Sequence, residues 1–210
     1  MLTILAILGL AASLLMGLGD QLLYYHPAGF DMSKSVDDIY RIMPTVSDRR
    51  LRIGSILGPL TALLFVIAQY HTVLLIRHDR LWLGYLIWIL LSIGISVGGC
   101  FHAMFGLIGF IGREQQSESL DALRKFMDFF RKFFYPFIAL GFSLWGLCIL
   151  LVRTQLPPWG LLFTPLVILF FTPLLSRIPR GRFQALFCGS WTNLMQVPYY
   201  IFLLVFSLTH

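Results

Sequence analysis

Two side chains that could carry acid–base chemistry lie inside long apolar segments of the sequence. Asp20 shares one helical face with Ser13, Gly17 and Tyr24, and His102 lies in a segment rich in small residues. A carboxylate beside an imidazole fixes the tautomer of the ring and raises its basicity. Asp20 and His102 are therefore the candidate catalytic acid and base, or the candidate carriers of a proton.

A second polar stripe lies near the end of the chain. Gly189, Asn193, Gln196 and Tyr200 follow one another at offsets of four, three and four, which places them on one helical face. Lipid cannot satisfy the donors and acceptors of a carboxamide, so this face is expected to point into the protein. The stripes together predict one ligand-binding site, formed by Asp20, Tyr24, His102, Asn193, Gln196 and Tyr200.

Structural explanations for these residues stay open. Asn193 and Gln196 are equally typical of hydrogen bonds between helices, and Asp20 could pair at the interface with Arg49 or Arg113. Another polar group falls at a helix end, where a solvated interface is expected, and consists of Gln69, His71, His78 and Asp79.

Other kinds of site have less support. The sequence has no HxxxH or HExxH spacing for a metal, and His71 and His102 are expected at different depths, which disfavours a haem. A catalytic serine is disfavoured too, since Ser13 is expected about two turns deeper than Asp20. Cys100, Cys148 and Cys188 lie in apolar runs and are expected to pack as small residues. We therefore predict no metal and no cofactor.

The composition requires these residues to be held by membrane-spanning helices. Of 210 residues, 58% are hydrophobic and only 12% are charged, and the mean hydropathy is +0.80. Soluble domains carry about 25% charged residues, so this chain cannot cover a water-soluble surface. A soluble enzyme, a nucleic-acid-binding domain and a disordered protein are excluded as classes. The net charge of +6 is explained by basic loops beside the membrane and not by binding to nucleic acid.

The predicted fold is all-α: one integral membrane domain, residues 1–210, built as a multi-pass helical bundle. A span needs about 20 apolar residues. Pro165 and Pro173 interrupt the fifth candidate. Residues 119–132 have aromatic residues at helical spacing and predict a separate helix along the membrane interface, with docking on other protein segments as the alternative. The six predicted spans are 2–23, 53–76, 81–111, 133–152, 159–175 and 183–208.

The distribution of basic residues predicts the orientation. The loops after the first, third and fifth spans hold 13 of the 16 Lys and Arg residues, among them Lys34 and Arg180, and the other side has Arg77, Arg80 and Arg153. Because cytoplasmic loops are enriched in basic residues, both termini are expected on the non-cytoplasmic side.

The chain also resembles an uncharacterised family of small six-helix bacterial membrane proteins, classified as a domain of unknown function. This resemblance implies a bacterial inner-membrane protein with no established activity, and it draws attention to Asp20 and His102 as matching positions. It rests on Met16-Gly-Leu-Gly-Asp20 with Tyr24 and Pro27, on Phe101-His102-Ala103, on Tyr135-Pro136-Phe137, and on Pro158-Trp159 with Thr164-Pro165-Leu166.

These features favour a non-enzymatic binding or accessory membrane protein, with its polar site in the cytoplasmic half of the bundle. Its expected partners are membrane lipids and either an apolar small molecule or another membrane protein, with no nucleic acid. An enzyme that modifies lipids through an Asp20–His102 pair is the first alternative. A small proton-coupled transporter is the second.

Overall fold

The protein is helical in a computed structural model that describes residues 1–27, 29, 35–114, 117–175, 177–179 and 181–210, and only the main chain of 35–37, 188 and 189. Lys34 and Arg180 lie outside the described residues, as does the side chain of Cys188. The α-helices of the described part are α1 (Leu2–Tyr24), α2 (Ser35–Ile42), α3 (Asp48–Ala68), α4 (His71–Leu75), α5 (Leu81–Arg113), α6 (Ser117–Leu150), α7 (Pro165–Leu169), α8 (Thr172–Leu175), α9 (Arg182–Leu194) and α10 (Val197–Thr209). Short 3₁₀ turns occur at Met43–Thr45, His78–Arg80 and Pro158–Phe163.

Five helical segments are long and apolar enough to cross a membrane, as an integral membrane protein requires. The sequence predicted six. Among the described residues these five segments are Leu2–Tyr24, Asp48–Leu75, His78–Arg113, Ser117–Leu150 and Ser190–Thr209.

The predicted fifth helix, 159–175, is not a continuous helix. The chain there forms the turn Pro158–Phe163 followed by the short helices α7 and α8. Pro165 opens α7 and Pro173 lies at the start of α8, and neither can donate to a helical carbonyl. Each proline therefore interrupts the main-chain ladder and divides the segment.

This broken segment nevertheless runs along the last two helices. Trp159 and Phe163 pack their rings on Phe202 of α10, and Trp191 Nε1 of α9 donates to Thr172 Oγ1 at 3.1 Å. The chain thus lies beside α10 at residue 159 and beside α9 at residue 172, so it runs antiparallel to these two helices.

The chain termini lie at one end of the bundle, because α9 and α10 run antiparallel to α1. The ring of Tyr200 lies over Gly9, Leu194 contacts Gly17, and the side chain of Gln21 contacts Ser190. We call the end that holds Met1 and His210 the terminal end, and the opposite end, which holds Tyr24 and the start of α3, the basic end.

The sixth predicted helix, 183–208, is divided into α9 and α10 by a turn at Met195–Gln196. Pro198 lacks the N–H that would bond to the carbonyl of Leu194, which explains the break at this point.

Residues 119–132 are helical as predicted, but no break separates them from the next segment. Helix α6 runs unbroken from Ser117 to Leu150. Met127 is buried beside Tyr40 of α2, while Phe126 and Phe129 are exposed. Neither glycine nor proline occurs between residues 117 and 135, so nothing in the sequence ends the helix there.

Helices α1, α3 and α5 contact one another through a group of glycines, which we call the glycine seam: Gly19, Gly54, Gly58 and Gly99. A Cβ at Gly54 would lie 2.7 Å from Leu23 Cγ, and one at Gly99 would lie 2.6 Å from Ala62 Cβ. Small residues let membrane helices approach closely, as the glycine-rich sequence of α5 predicts.

Candidate functional site

Asp20, His102 and Asn193 meet inside the bundle, where α1, α5 and α9 bring their polar faces together. Asn193 Nδ2 donates to Asp20 Oδ2 at 2.6 Å, and His102 Nδ1 lies 3.3 Å from Asp20 Oδ1. Asp20 is 3% exposed and His102 is 6% exposed. The helical spacing of the polar stripes placed these three residues on inward faces, and the structure joins them through the two carboxylate oxygens.

The hydrogen bonds of His102 determine how many protons the pair holds. His102 Nε2 lies 3.0 Å from the main-chain oxygen of Gly54, which can only accept, so Nε2 carries a proton. Nδ1 faces a carboxyl oxygen of Asp20, and a contact between two lone pairs would be repulsive. A proton on either His102 Nδ1 or the Asp20 carboxyl group would make this contact favourable.

The glycine seam makes room for this imidazole. A Cβ at Gly58 would lie 2.6 Å from His102 Cδ2, and one at Gly19 would lie 3.3 Å from His102 Nε2. Any larger residue at Gly58 would displace the ring. Main chain from α1 and α3 thus encloses His102 closely.

Tyr24, which the sequence assigned to this site, lies beside His102 on the side toward the basic end. Its ring lies edge-on to His102, with centroids 6.3 Å apart, and edge-on to Phe105 at 5.1 Å. Arg50 fixes the end of α1 beside it, because its guanidinium donates to the main-chain oxygens of Leu22 and Tyr25 at 2.9 and 2.8 Å. Cations at a helix C-terminus satisfy carbonyls that have no helical donor.

Gln196 and Tyr200 are buried, yet they lie one and two turns further toward the terminal end. In the described part of the chain, Gln196 Oε1 and the Tyr200 hydroxyl have no hydrogen-bond partner. The structure therefore brings Asp20, Tyr24, His102 and Asn193 together, whereas Gln196 and Tyr200 form a separate polar row at the start of α10.

Helix α9 is attached to α1 by polar contacts. Besides the Asn193–Asp20 hydrogen bond, Gln21 Nε2 donates to Ser190 Oγ and to the main-chain oxygen of Leu186. Asn193 is partly exposed, whereas Asp20 and His102 are buried, so the cluster is least enclosed on the α9 side.

A second buried cluster contradicts the solvated interface that we expected at Gln69 and His71. His71 is fully buried and Gln69 is 1% exposed. Tyr199 donates to His71 Nε2 at 2.7 Å and accepts from Trp145 Nε1 at 2.7 Å, while His71 Nδ1 donates to the Ala68 oxygen at 2.8 Å. His71 is thus a neutral ring with every nitrogen satisfied, which is typical of a structural histidine.

The sequence signal for this cluster was present in the helix spacing. Residues 69–71 lie within the predicted span 53–76, which contains no charged residue, and the nearest charged residue is Arg77. Tyr199 directly precedes Tyr200, but it was not part of the predicted inward face of the last helix. The expected position of this group at a helix end led to the wrong prediction of solvent at Gln69 and His71.

The structure also bears on the pairing of Asp20 with Arg113, on Ser13 and on the possibility of a metal site. Arg113 pairs with Asp48 and donates to the oxygens of Pro44 and Val46, so it does not neutralise Asp20. Ser13 donates to the Gly9 oxygen of its own helix at 2.8 Å. Among the residues that the structure describes, no three His, Cys, Asp or Glu side chains come together as a metal would need.

Comparison with known proteins gives one match. Residues 1–209 match a family model described as a family of unknown function, DUF6796. No curated protein and no solved structure matches the chain. The match confirms the resemblance to an uncharacterised family that the short motifs carry.

Proposed function

The chain belongs to the family of unknown function DUF6796, and we propose that it is a non-enzymatic membrane protein whose Asp20–His102 pair binds one exchangeable proton and links it to binding at α9. The observation that carries this proposal is the pair of acceptors facing His102. Gly54 O and Asp20 Oδ1 lie against its two nitrogens, and a proton shared between the two side chains would make both contacts favourable.

The enclosure of the pair supports a non-enzymatic role. A catalytic His102 would need a ring nitrogen within reach of a substrate. Both nitrogens already face protein atoms, and Gly19 and Gly58 hold main chain against the ring. A lipid substrate would have to separate these helices, which is why the lipid-modifying enzyme ranks below the binding protein.

Release of the shared proton would change the charge of the site. The pair would then hold a buried carboxylate facing an imidazole lone pair, and a buried charge without a partner is strongly unfavourable. Water can relieve this most easily beside Asn193, the partly exposed member of the cluster. We therefore expect deprotonation to loosen α9 from α1 and to change what the α1–α9 interface can bind.

Thiol labelling in lipid nanodiscs tests this proposal. Leu194 contacts Gly17 across the α1–α9 interface, and Thr192 is exposed on the same helix. In a background without the native cysteines, Leu194→Cys is expected to react faster with a water-soluble thiol reagent as the pH rises, beyond the rise that Thr192→Cys shows from its own thiol.

Asp20→Asn is the matched control for the same experiment. It removes the exchangeable proton and keeps the shape of the side chain. The excess labelling of Leu194→Cys is expected to lose its pH dependence in this background. An unchanged pH profile in Asp20→Asn would contradict the proposal.

A proton-coupled transporter is the second candidate, and the polar row along α10 favours it. Gln196 Oε1, the Tyr200 hydroxyl and both polar atoms of Gln69 are buried and have no partner in the described residues. Such atoms are often satisfied by water, and a file of waters could carry a proton from Asp20 toward the terminal end. Proton flux into liposomes that depends on Asp20 would favour this candidate over the binding protein.

We further propose six crossings, with both termini on the non-cytoplasmic side of a bacterial inner membrane. The contacts of Trp159 with Phe202 and of Thr172 with Trp191 support a crossing by the broken segment 158–175. An even number of crossings agrees with the position of both termini at one end. The loops at the basic end hold 13 of the 16 basic residues, which favours the basic end as cytoplasmic. The terminal end, with both termini, would then be non-cytoplasmic.

The partners of this protein follow from the same surfaces. Membrane lipids surround the exposed apolar residues of every long helix, and the ligand at α9 is either an apolar small molecule or a second membrane protein. Nucleic acid is not among the expected partners. Mass spectrometry of the copurified lipids and proteins distinguishes the two ligand classes.

A further inference from the structure

An apolar groove opens at the terminal end between the start of α5 and the end of α6. Its volume is about 220 Å³, and its walls are mostly apolar. Leu83 and Leu144 form its partly buried wall, and Leu147 and Leu151 are about half exposed. Two arginines, Arg80 and Arg153, line the same groove.

Main-chain contacts hold the two arginines at the groove. Residues Ile76 and Thr154 form an isolated antiparallel bridge, in which Arg77 N donates to the Arg153 oxygen at 2.9 Å. The bridge joins the loop before α5 to the loop after α6. Two of the three basic residues that the sequence assigns to this end, Arg80 and Arg153, therefore line one groove, and the main chain of the third, Arg77, is bonded to Arg153.

Just after the C-terminal end of α6 lies a strained residue, Val152, which sets the position of Arg153. Arg153 N bonds to the Cys148 oxygen and Val152 N to the Ile149 oxygen, the two hydrogen bonds of a Schellman motif. Val152 occupies the left-handed position with a φ of 54°, which glycine usually takes and a β-branched residue rarely does. The strained conformation of Val152 turns the chain at the end of α6, so that Arg153 follows the helix directly and its N–H bonds to the last turn.

We propose that this groove binds an anionic phospholipid of the leaflet at the terminal end, with one acyl chain on the leucines and the phosphate between Arg80 and Arg153. Planar guanidinium groups suit phosphate oxygens. Asp79 lies 3.5 Å from Arg80, but this pair is exposed and so contributes little. The local charge stays positive, which matches an anionic headgroup above an apolar chain.

Native mass spectrometry of the purified protein tests the site. The probes are phosphatidylglycerol and phosphatidylcholine with the same acyl chains. The wild type is expected to retain phosphatidylglycerol preferentially, and Arg80→Gln/Arg153→Gln is expected to reduce that preference by roughly fivefold for each arginine. Sedimentation or gel filtration checks that the double variant remains folded.

A control of equal charge distinguishes this site from a general attraction of lipids to cations. Arg49 and Arg182 are exposed at the basic end. Arg49→Gln/Arg182→Gln is expected to leave most of the preference intact. An equal loss in both double variants, or no loss in the first, would overturn the proposal. Displacement of the lipid by glycerol phosphate alone would also overturn it, because the groove would then bind a phosphate and not a lipid.

Discussion

Asp20→Asn is expected to keep the fold of the cluster while removing its shared proton. The new carboxamide can donate to His102 Nδ1 and accept from Asn193 Nδ2, provided that His102 holds its single proton on Nε2 toward Gly54. Each contact that the Asp20 carboxyl group makes in the wild type can thus be replaced in Asp20→Asn by a hydrogen bond between neutral groups.

The contacts of Asp20 set the size of the effect. Hydrogen bonds to charged groups contribute about 1.5–3 kcal/mol and neutral ones about 1 kcal/mol, so two weakened bonds cost roughly 1–4 kcal/mol. His102→Ala instead leaves Asp20 buried without its partner, which costs about 3–5 kcal/mol. The second variant is therefore expected to be clearly less stable than the first.

Two measurements check this expectation. Thermal unfolding in one detergent orders the stabilities of wild type, Asp20→Asn and His102→Ala. Nitrogen-15 NMR of labelled histidine reports the protons on His102, whose Nδ1 is expected to change from protonated or proton-sharing in the wild type to unprotonated in Asp20→Asn. A wild-type Nδ1 without a proton, or two variants of equal stability, would refute the reasoning.

Three further expectations concern other parts of the bundle. Tyr199→Phe leaves the indole N–H and the His71 Nε2 unpaired and is expected to cost roughly 2–5 kcal/mol, whereas Tyr200→Phe, which loses a hydroxyl without a partner in the described residues, is expected to cost far less in the same unfolding assay. Val152→Gly removes the strain of a left-handed valine and is expected to raise stability by roughly 1 kcal/mol, so a lower unfolding temperature would contradict it. Alkaline phosphatase fused after His210 is expected to be active and β-galactosidase at the same place inactive, and the reverse pattern would contradict the orientation.

The central site could be predicted because burial cost and helical period act together. Asp20, His102 and Asn193 each lie on a stripe of polar or small residues, and a stripe of this kind cannot face lipid. Three such stripes in one bundle have to meet one another. The sequence could not supply the second acceptor of His102, because Gly54 contributes its main-chain oxygen and leaves no signal in the side-chain pattern.

The errors have local causes. Prolines divide the predicted helices at 159–175 and 183–208, and hydrophobicity alone does not detect the missing hydrogen bonds. The predicted boundary near residue 132 was wrong because polarity changes there but neither glycine nor proline ends the helix, which continues to Leu150. His71 was expected in solvent because it lies near the end of a predicted span, whereas the fold buries it against Tyr199, 128 residues away in the sequence.

The order in which the ribosome delivers these helices has a consequence for Asp20. Its helix precedes α5 in the chain, and His102 follows Asp20 about 80 residues later, which at 5–20 residues per second is a wait of roughly 4 to 16 s. During that time the acid has no permanent partner in the nascent protein. Its position one turn from the end of α1 lets it stay near water until α5 arrives, and Asn193 closes the cluster last. Biogenesis therefore favours an acid at this depth over one at the middle of the first helix.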